Sequence, residues 1–199
     1  MNSVTKYGII ILAAGPSSRL GQPKQLLSYQ DKSLLMHTID ASKNAVDGSV
    51  LVILGGNYQL IAESIEHTGI RIVYNPDWEE GMSSSIRKGL QGLMDEHTDL
   101  EGVILTVCDQ PFLTARVLTA LQHKANITGK NIVASAYGGT LGTPVLFTRR
   151  HFDDLMALKG PEGAKKLLKK YDEELASVPF ENGEIDIDTM DDYNRLTAL

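Results

Sequence analysis

Residues 12 to 24 place glycines, hydroxyls and two cations directly after the first apolar run, in the order LAAGPSSRLGQPK. Small residues such as Gly15 let backbone N–H groups approach phosphate oxygens, while Arg19 can bind two oxygens as a fork and Lys24 supplies a point charge. The segment is not a Walker A loop, because Lys24 does not directly follow the second glycine, and it is not a GxGxxG dinucleotide loop. An ordinary strand-to-helix loop with surface charges is the alternative. The combination of groups favours a triphosphate site.

A carboxylate stands after the fourth apolar run, where Asp109 is followed by Gln110 and Pro111. Asp109 should project from the end of a strand. A carboxylate there can anchor Mg²⁺, which takes few protein oxygens and completes its octahedron with phosphates and water. The alternative is that Asp109 caps a helix beginning near Thr114.

A second pair of carboxylates lies in the sequence IDID at residues 185 to 188. In an extended segment the period of two puts Asp186 and Asp188 on one face, so that one or both could reach the same metal. The surrounding residues 172 to 192 include nine acidic residues and no lysine or arginine. Four of the acidic residues are expected to form only a solvated polar face: Glu173, Glu174, Asp191 and Asp192.

The run GMSSS at residues 81 to 85 is predicted to open a helix that continues from Ile86. Free N–H groups and hydroxyls at such an N-terminus can bind a nucleotide base or a phosphate. The alternative is that one serine simply caps the helix.

Five short apolar runs, rich in Val and Ile, indicate strands that are buried on both faces. They span residues 7–13, 50–54, 70–74, 103–107 and 132–136. Segments with helical spacing lie between them, which predicts a Rossmann-like α/β fold with a mostly parallel sheet and helices on both faces. Right-handed crossovers place the C-terminal strand ends at one edge, where open α/β folds bind ligands. The loop and Asp109 should meet at this edge.

Composition and charge exclude several classes of protein. A net charge of −6 argues against general nucleic-acid binding, and the single cysteine, Cys108, cannot form an intramolecular disulfide. No apolar run approaches the roughly 18 residues that span a bilayer, and residues 1–6 lack the apolar stretch of a signal peptide. We therefore expect a cytoplasmic protein with no membrane partner. The five histidines fall in no motif, and their scatter suits surface or helix positions.

The first loop resembles a family signature. Its pattern Leu-Ala-Ala-Gly-x-Ser-x-Arg-x-Gly-x-Pro-Lys is similar to that of the MobA-like nucleotidyltransferases, and within that family it most resembles the molybdenum cofactor cytidylyltransferases. The resemblance covers almost the whole chain in family order, through the following segments: NPDW at 75–78, GMSSS at 81–85, DQP at 109–111, GTPVLF at 142–147, GPEGAKKLL at 160–168 and DIDT at 186–189. It implies a fold of the nucleotide-diphospho-sugar transferase type.

The resemblance also assigns residues to the site. It favours Asp188 over Asp186 as the second Mg²⁺ ligand beside Asp109, and it aligns Asn75 and Ser85 with nucleotide-contacting positions. The predicted nucleotide-binding set is Leu12, Ala13, Ala14, Gly15, Arg19, Lys24, Asn75 and Ser85. The predicted catalytic residues are Arg19, Lys24 and Asp109, because cations and a metal site meet the negative charge that builds up during phosphoryl transfer.

The organisation after Gly138-Gly139 becomes irregular. We predict a strand over residues 143–147, helices over 149–158 and 162–171, and an extended stretch over 175–180. All of it is expected to belong to one domain, residues 1–199. Residues 1–136 would form the nucleotide-binding core, and residues 137–199 would form an elaboration on the acceptor side.

The reaction that the resemblance implies is transfer of CMP from CTP to the phosphate of a molybdopterin-type acceptor, with release of pyrophosphate. Guanylyltransferases usually carry Leu-Ala-Gly-Gly where this chain has Leu-Ala-Ala-Gly, which favours CTP. Thr143 stands where many relatives have histidine, which leaves the acceptor open. A client molybdenum hydroxylase is a further implied partner. The alternatives are use of GTP, a sugar or polyol phosphate acceptor, a non-catalytic molybdenum cofactor chaperone, and a phosphate-binding regulatory domain.

Overall fold

The computed structural model of the protein describes residues 7–46, 49–161 and 163–198. Its strands are β1 (Tyr7–Leu12), β2 (Ser28–Tyr29), β3 (Lys32–Ser33), β4 (Val50–Leu54), β5 (Arg71–Tyr74), β6 (Gly102–Val107), β7 (Ile132–Tyr137), β8 (Thr140–Thr148) and β9 (Leu175–Pro179). Its α-helices are α1 (Leu34–Lys43), α2 (Tyr58–Ile65), α3 (Met82–Glu96), α4 (Ala115–Thr128), α5 (Phe152–Met156), α6 (Lys165–Lys170) and α7 (Met190–Thr197). Residues 1–6, on which the absence of a signal peptide was predicted, lie outside the described ranges.

Seven strands form one sheet in the order β5-β4-β1-β6-β8-β7-β9. Neighbouring strands are parallel except where β8 pairs with β6 and with β7. β8 is reversed because a two-residue turn at Gly138 and Gly139, both with positive φ, folds it back on β7. The prediction of a mostly parallel sheet is confirmed.

Helices cover both faces of this sheet, and its central strands are accordingly almost entirely apolar. All six residues of β1 are buried. Ile9 and Ile11 face a core shared with α1, α2 and α4, whereas Ile10 and Leu12 face a core shared with α3, α5 and α6. Within the described residues no helix is long and apolar enough to cross a membrane.

The helices after β8 are shorter than predicted. The segment expected as one helix over 149–158 contains a 3-10 turn at Arg149–His151 followed by α5. The helix expected from residue 162 begins at Lys165, because Gly160 and Gly163 adopt positive φ values of 78° and 58° that a helix does not accept. Glu162 itself lies outside the described residues. The hairpin β2–β3 and the helices α2 and α7 were not predicted.

Two of the four acidic residues predicted to be merely solvated have structural partners. Asp192 accepts from the Thr189 N–H at 2.8 Å while its own N–H donates to Thr189 Oγ1, which forms a capping box at the start of α7. Glu174 accepts a 2.9 Å hydrogen bond from Asn131 and one from Arg150. The prediction was wrong for both, and it holds for Glu173 and Asp191, which are exposed.

One histidine also departs from the surface or helix position expected of it. His151 is only 1% exposed. Its Nδ1 lies 3.2 Å from Asp154 Oδ2, and its Nε2 lies 3.4 Å from Glu174 Oε2. The side chain therefore joins the start of α5 to the start of β9.

Candidate active site

Two carboxylates converge on the ammonium group of Lys24 at the C-terminal edge of the sheet. Lys24 Nζ lies 2.5 Å from Asp109 Oδ2 and 2.9 Å from Asp188 Oδ1. Lys24 opens a 3-10 turn after the glycine-rich loop, Asp109 follows β6, and Asp188 precedes α7. Three segments that are remote in sequence thus meet at one point.

Backbone contacts hold this convergence in place. The Ile187 N–H donates a 3.0 Å hydrogen bond to the Asp109 carbonyl. The Ile187 side chain is fully buried with Leu20 and Leu27, which belong to the glycine-rich loop and the turn that follows it. Asp188 is therefore presented to Lys24 because its neighbour Ile187 is anchored in the core, as the alternation of the sequence predicted.

Lys24 carries its positive charge throughout the physiological pH range. Burial lowers the pKa of its ammonium group, but the charge of Asp109 and hydrogen bonds to Asp109 and Asp188 outweigh burial and hold the pKa above its ordinary value. Both Lys24 and Asp109 have side chains less than one-fifth exposed. Their ion pair is thus largely shielded from the solvent that weakens surface pairs.

Asp188 is a carboxylate kept ionised by cations. The hydrogen bond from Lys24 and the charges of Lys24 and Arg19 lower the pKa of Asp188, against a smaller opposing effect of burial. Arg19 reaches it through NH2 at 2.8 Å, although the Arg19 side chain is 68% exposed. Arg19 is therefore an exposed cation beside the carboxylates, whereas Lys24 is a largely buried one.

Asp186 stands apart from this arrangement. Partial desolvation, followed by the charges of Asp109 and Asp188, raises the pKa of Asp186. Within the described part of the chain no ion pair joins Asp186 to Lys24. Asp186 therefore adds negative charge near Asp109 and Asp188 but does not bind Lys24 as they do.

Gln25 organises the loop, and sequence reasoning missed it. Gln25 is 1% exposed. Its Nε2 donates to the carbonyls of Ala13 at 2.8 Å and Gly15 at 3.0 Å, and its Oε1 accepts from Ser17 Oγ at 3.3 Å. Ser17 Oγ in turn accepts from the Lys24 N–H at 3.0 Å. The sequence shows that a polar residue follows Lys24, but it does not show that this residue is buried or that it bonds to three residues of the loop.

The loop residues predicted to bind nucleotide divide into two groups. Leu12, Ala13 and Ala14 are buried, although Leu12 also lines a cavity beside the loop. Gly15 is exposed, and a Cβ added there would meet no heavy atom within 4 Å. The open space around Gly15 leaves room for a phosphate to approach the backbone of this loop.

Asn75 and Ser85, both predicted to contact the nucleotide, lie together and are almost fully buried. Asn75 Nδ2 donates to Ser84 Oγ at 2.9 Å and to Ser85 Oγ at 3.0 Å. Helix α3 begins at Met82 after Gly81, and no serine side chain caps it. The alternative that a serine serves only as the N-cap is therefore wrong, and so is the alternative that Asp109 caps α4, whose N-cap is Thr114.

The donor set fits a divalent cation that keeps most of its coordination for phosphates and water. Asp109 and Asp188 each direct an oxygen at one point, which Lys24 Nζ occupies. Among residues 7–46, 49–161 and 163–198 no group of three or more His, Cys, Asp and Glu side chains could enclose a metal. Two carboxylates without a full cage match the needs of Mg²⁺ or a similar hard cation better than those of zinc.

Comparison with known proteins identifies the family. Residues 9–175 match the MobA-like NTP transferase domain. The chain belongs to the MobA-like NTP transferase family. Membership confirms the resemblance drawn from the loop signature, and it makes the protein a nucleotidyltransferase with an α/β nucleotidyltransferase fold.

Individual relatives of the chain show how wide the similarity is. The chain is 29% identical over 189 residues to a molybdenum cofactor cytidylyltransferase of Escherichia coli (strain K12), with 92% of each chain covered. It is 30% identical over 204 residues to a protein of Paenarthrobacter nicotinovorans named nicotine blue oxidoreductase, with 94% of each covered. The names differ, so family membership alone does not fix the substrate.

Solved structures agree with the family assignment. The crystal structure of Rv0371c from Mycobacterium tuberculosis H37Rv has a TM-score of 0.86 at 30% identity, and the alignment covers 99% of this chain and 100% of that one. A manganese complex of Rv0371c has a TM-score of 0.80 at 27% identity, covering 98% and 99%. The fold is thus shared by a protein that was crystallised with manganese.

Proposed function

We propose that the protein transfers CMP from CTP to the terminal phosphate of molybdopterin or molybdenum cofactor, releasing pyrophosphate in a Mg²⁺-dependent reaction. The observation that carries the proposal is the convergence of Asp109 and Asp188 on Lys24 beside the glycine-rich loop. It supplies a metal-binding carboxylate pair and a fixed cation at one place, as nucleotidyl transfer requires. Similarity to a molybdenum cofactor cytidylyltransferase supports the choice of substrates.

Asp109 and Asp188 would hold the metal, which would supply positive charge that neutralises part of the charge of the triphosphate. Lys24 would supply further positive charge to the phosphates. Because Lys24 is largely buried and permanently charged, its electrostatic effect on a phosphate is larger than that of an exposed lysine. Arg19, which is exposed, can follow the triphosphate as it binds.

The chemical step needs no protein nucleophile. An oxygen of the acceptor phosphate attacks the α-phosphorus of CTP, a new P–O bond forms, and the bond to the bridging oxygen of pyrophosphate breaks. Negative charge grows on the leaving pyrophosphate, where Lys24 and Arg19 stabilise it. Catalysis is then positioning and charge stabilisation.

Three further assignments remain proposals drawn from the resemblance. The presence of Ala14 favours CTP over GTP. Asn75 and Ser85 would lie against the base of the nucleotide. A client molybdenum hydroxylase would receive the product. We also retain the proposals of a cytoplasmic location and of a nucleotide-binding core (1–136) with an acceptor-side elaboration (137–199).

The test is pyrophosphate release from CTP, GTP, ATP and UTP, each with molybdenum cofactor and Mg²⁺ or Mn²⁺, against controls that lack acceptor or metal. We expect pyrophosphate release from CTP and from none of the other three nucleotides, and we expect this release to require both acceptor and metal. Release with GTP, or with a sugar or polyol phosphate in place of the cofactor, would replace the proposed substrates. Tight cofactor binding without release from any nucleotide would contradict nucleotidyl transfer to this acceptor.

A further inference from the structure

The carboxylate of Asp192 holds the backbone around Asp188. Asp192 Oδ2 accepts hydrogen bonds from the Thr189 N–H at 2.8 Å, from Thr189 Oγ1 at 2.7 Å and from the Asp188 N–H at 3.3 Å. The Asp192 N–H donates back to Thr189 Oγ1 at 3.2 Å. The two peptide groups that flank the Asp188 Cα are therefore both bonded to one side chain.

These bonds fix the direction in which the Asp188 side chain leaves the backbone. A peptide group is planar, so the two planes on either side of a Cα set the direction of its Cβ. Asp188 Oδ1 lies 2.9 Å from Lys24 Nζ, and Oδ2 lies 2.8 Å from Arg19 NH2. The Asp188 side chain is 35% exposed, so packing constrains it less than it constrains a core residue. Its orientation toward Lys24 therefore depends on the backbone that Asp192 holds.

The other anchors of this segment act further from the Asp188 Cα. The Asp109 carbonyl accepts a 3.0 Å hydrogen bond from the Ile187 N–H, and buried Gln110 donates one of 2.7 Å from Nε2 to the Gly183 carbonyl. Neither bond engages a peptide group next to the Asp188 Cα. They set the distance between the two carboxylate-bearing segments and leave the direction of the Asp188 side chain to other contacts.

Helix α7, which carries this cap, is itself fixed against the glycine-rich loop. Leu196 of α7 packs in a buried cluster with Leu20 of that loop, and the Tyr193 hydroxyl donates a 2.7 Å hydrogen bond to the Ser28 carbonyl of β2. Residues 9–175 match the family domain, so α7 lies outside the matched range. The cap is thus attached to the segment that supplies the cations of the site.

A capping box that served only its helix would involve two residues. In such a box the N-cap and the third residue of the helix bond to each other. Here the Asp192 carboxylate also accepts from Asp188, the residue before the N-cap. The N-cap of α1 offers a comparison, because Ser33 accepts a 3.2 Å hydrogen bond from the Met36 N–H and has no such third partner among the described residues.

We propose that Asp192 and Thr189 are positioning residues, which hold the Asp188 carboxylate in line with Asp109 and thereby set the affinity of the site for its divalent cation. The proposal rests on the proposed function only in taking Asp109 and Asp188 as metal ligands. The hydrogen bonds of Asp192 carry the effect. Its negative charge does not, because Arg195 already pairs with the other oxygen, Oδ1.

A double-mutant cycle tests the positioning without nucleotide or metal. Asp188→Asn is combined with Asp192→Leu, which removes the acceptor, and with Asp192→Asn, which removes the charge and keeps an acceptor oxygen. At pH 7 we expect Asp188→Asn to shift the urea midpoint less than about half as far in the Asp192→Leu background as in the otherwise unsubstituted protein. The Asp192→Asn background should retain the full shift. Ser33→Ala, which removes the cap of α1, is the matched control background and should retain it as well.

The metal requirement of the reaction gives a second readout. We expect the Mg²⁺ concentration that half-saturates pyrophosphate release to rise about tenfold in Asp192→Leu, with KM for CTP at saturating Mg²⁺ within about twofold of the unsubstituted protein. Asp192→Asn and Ser33→Ala should both stay near the unsubstituted value. Thr189→Val loses the two hydroxyl bonds and should raise the requirement about threefold or more. It keeps the test decisive if circular dichroism shows that Asp192→Leu does not fold.

Several outcomes would overturn the positioning. One is a full Asp188→Asn shift in the Asp192→Leu background, and another is no shift in the otherwise unsubstituted protein. Equal effects of Asp192→Leu and Asp192→Asn would assign the effect to charge, and an equal rise in the Mg²⁺ requirement in Ser33→Ala would assign it to the loss of any helix cap. The proposed function fails differently. The expected cycle, together with no pyrophosphate release from any nucleotide, would leave the positioning of Asp188 standing and remove the proposed reaction.

Discussion

Lys24 belongs to the glycine-rich loop and contacts Asp109, which follows β6, and Asp188 of the acidic C-terminal segment. Its contacts with Asp109 and Asp188 at 2.5 and 2.9 Å give each of the three motifs a shared position in space. The sequence placed the loop and Asp109 at strand ends and predicted that they meet, and the family resemblance added Asp188 as a second metal ligand. The ion pairing between them was not predicted, because all of them had been assigned to a ligand.

Replacing Lys24 should affect turnover more than substrate binding. We expect Lys24→Met to lower kcat by about 10²–10³-fold, because the buried charge stabilises the transition state. The dissociation constant for CTP should change much less, measured by titration calorimetry without acceptor. Lys88→Met on the exposed side of α3 is the control. An equal loss in kcat and in CTP affinity would mean that Lys24 only holds the substrate.

Asp188 makes a pH-dependent contribution to stability. Lys24 and Arg19 lower its folded pKa below the unfolded value of about 3.9, so the pairing stabilises the fold above that pH and is lost as the pH falls through the folded pKa. Asp188→Asn should therefore be less stable than the unsubstituted protein at pH 7, and the difference should shrink toward pH 2.5. Urea unfolding at a series of pH values measures it. A difference that does not vary with pH would contradict the assignment of this pairing.

Gln25 is a positioning residue whose effect can be separated from that of Lys24. Gln25→Ala leaves the buried carbonyls of Ala13 and Gly15 without their donor, and we expect a loss of about 1–3 kcal/mol in the free energy of unfolding. Because the loop would no longer be fixed, KM for CTP should rise. Gln25→Glu keeps the size but loses the donor, so it should behave like Gln25→Ala. Recovery of a normal KM in Gln25→Glu would show that the Nε2 bonds do not set the loop.

At the scale of elements, the strands up to β7 could be predicted from the sequence, whereas the strands and helices after β7 were predicted less accurately. The five apolar runs give β1, β4, β5, β6 and β7 within one or two residues at their ends, because strands buried on both faces leave a strong signal. The reversal of β8 comes from a two-glycine turn, and a cavity lined by β8 and α6 forms only when these elements pack together. Such a pocket depends on tertiary contacts that no local pattern encodes.

A cluster formed by His151, Asp154, Tyr171 and Glu174 also acts at the scale of elements, because it joins α5 to β9 on the sheet. His151→Ala removes a buried ring that contacts Tyr171 at a centroid distance of 4.6 Å and pairs with Asp154 and Glu174. We expect a loss of about 2–4 kcal/mol in the free energy of unfolding, with kcat unchanged in protein that remains folded. His123→Ala, at an exposed position of α4, is the control. A loss no larger than that of His123→Ala would mean that the cluster does not hold these elements together.

At the scale of the whole molecule, a net charge of −6 coexists with a local group of cations at the candidate active site. Lys24 and Arg19 stand at the proposed triphosphate site. An acidic protein can attract anionic small molecules only through such local fields, which act over roughly 10 Å at physiological salt. The account therefore depends on both substrates meeting at this site, next to Asp109.

Substitution of Asp109 gives the most direct test of where the proposed reaction takes place. Pyrophosphate release from CTP with molybdenum cofactor is followed across a range of Mg²⁺ concentrations, in the unsubstituted protein and in Asp109→Asn. The account predicts metal-dependent release in the former and a loss of at least about 10³-fold in the latter, with circular dichroism showing that the fold is retained. Near-normal, metal-dependent release by Asp109→Asn would contradict the placement of the reaction at the Lys24, Asp109 and Asp188 site.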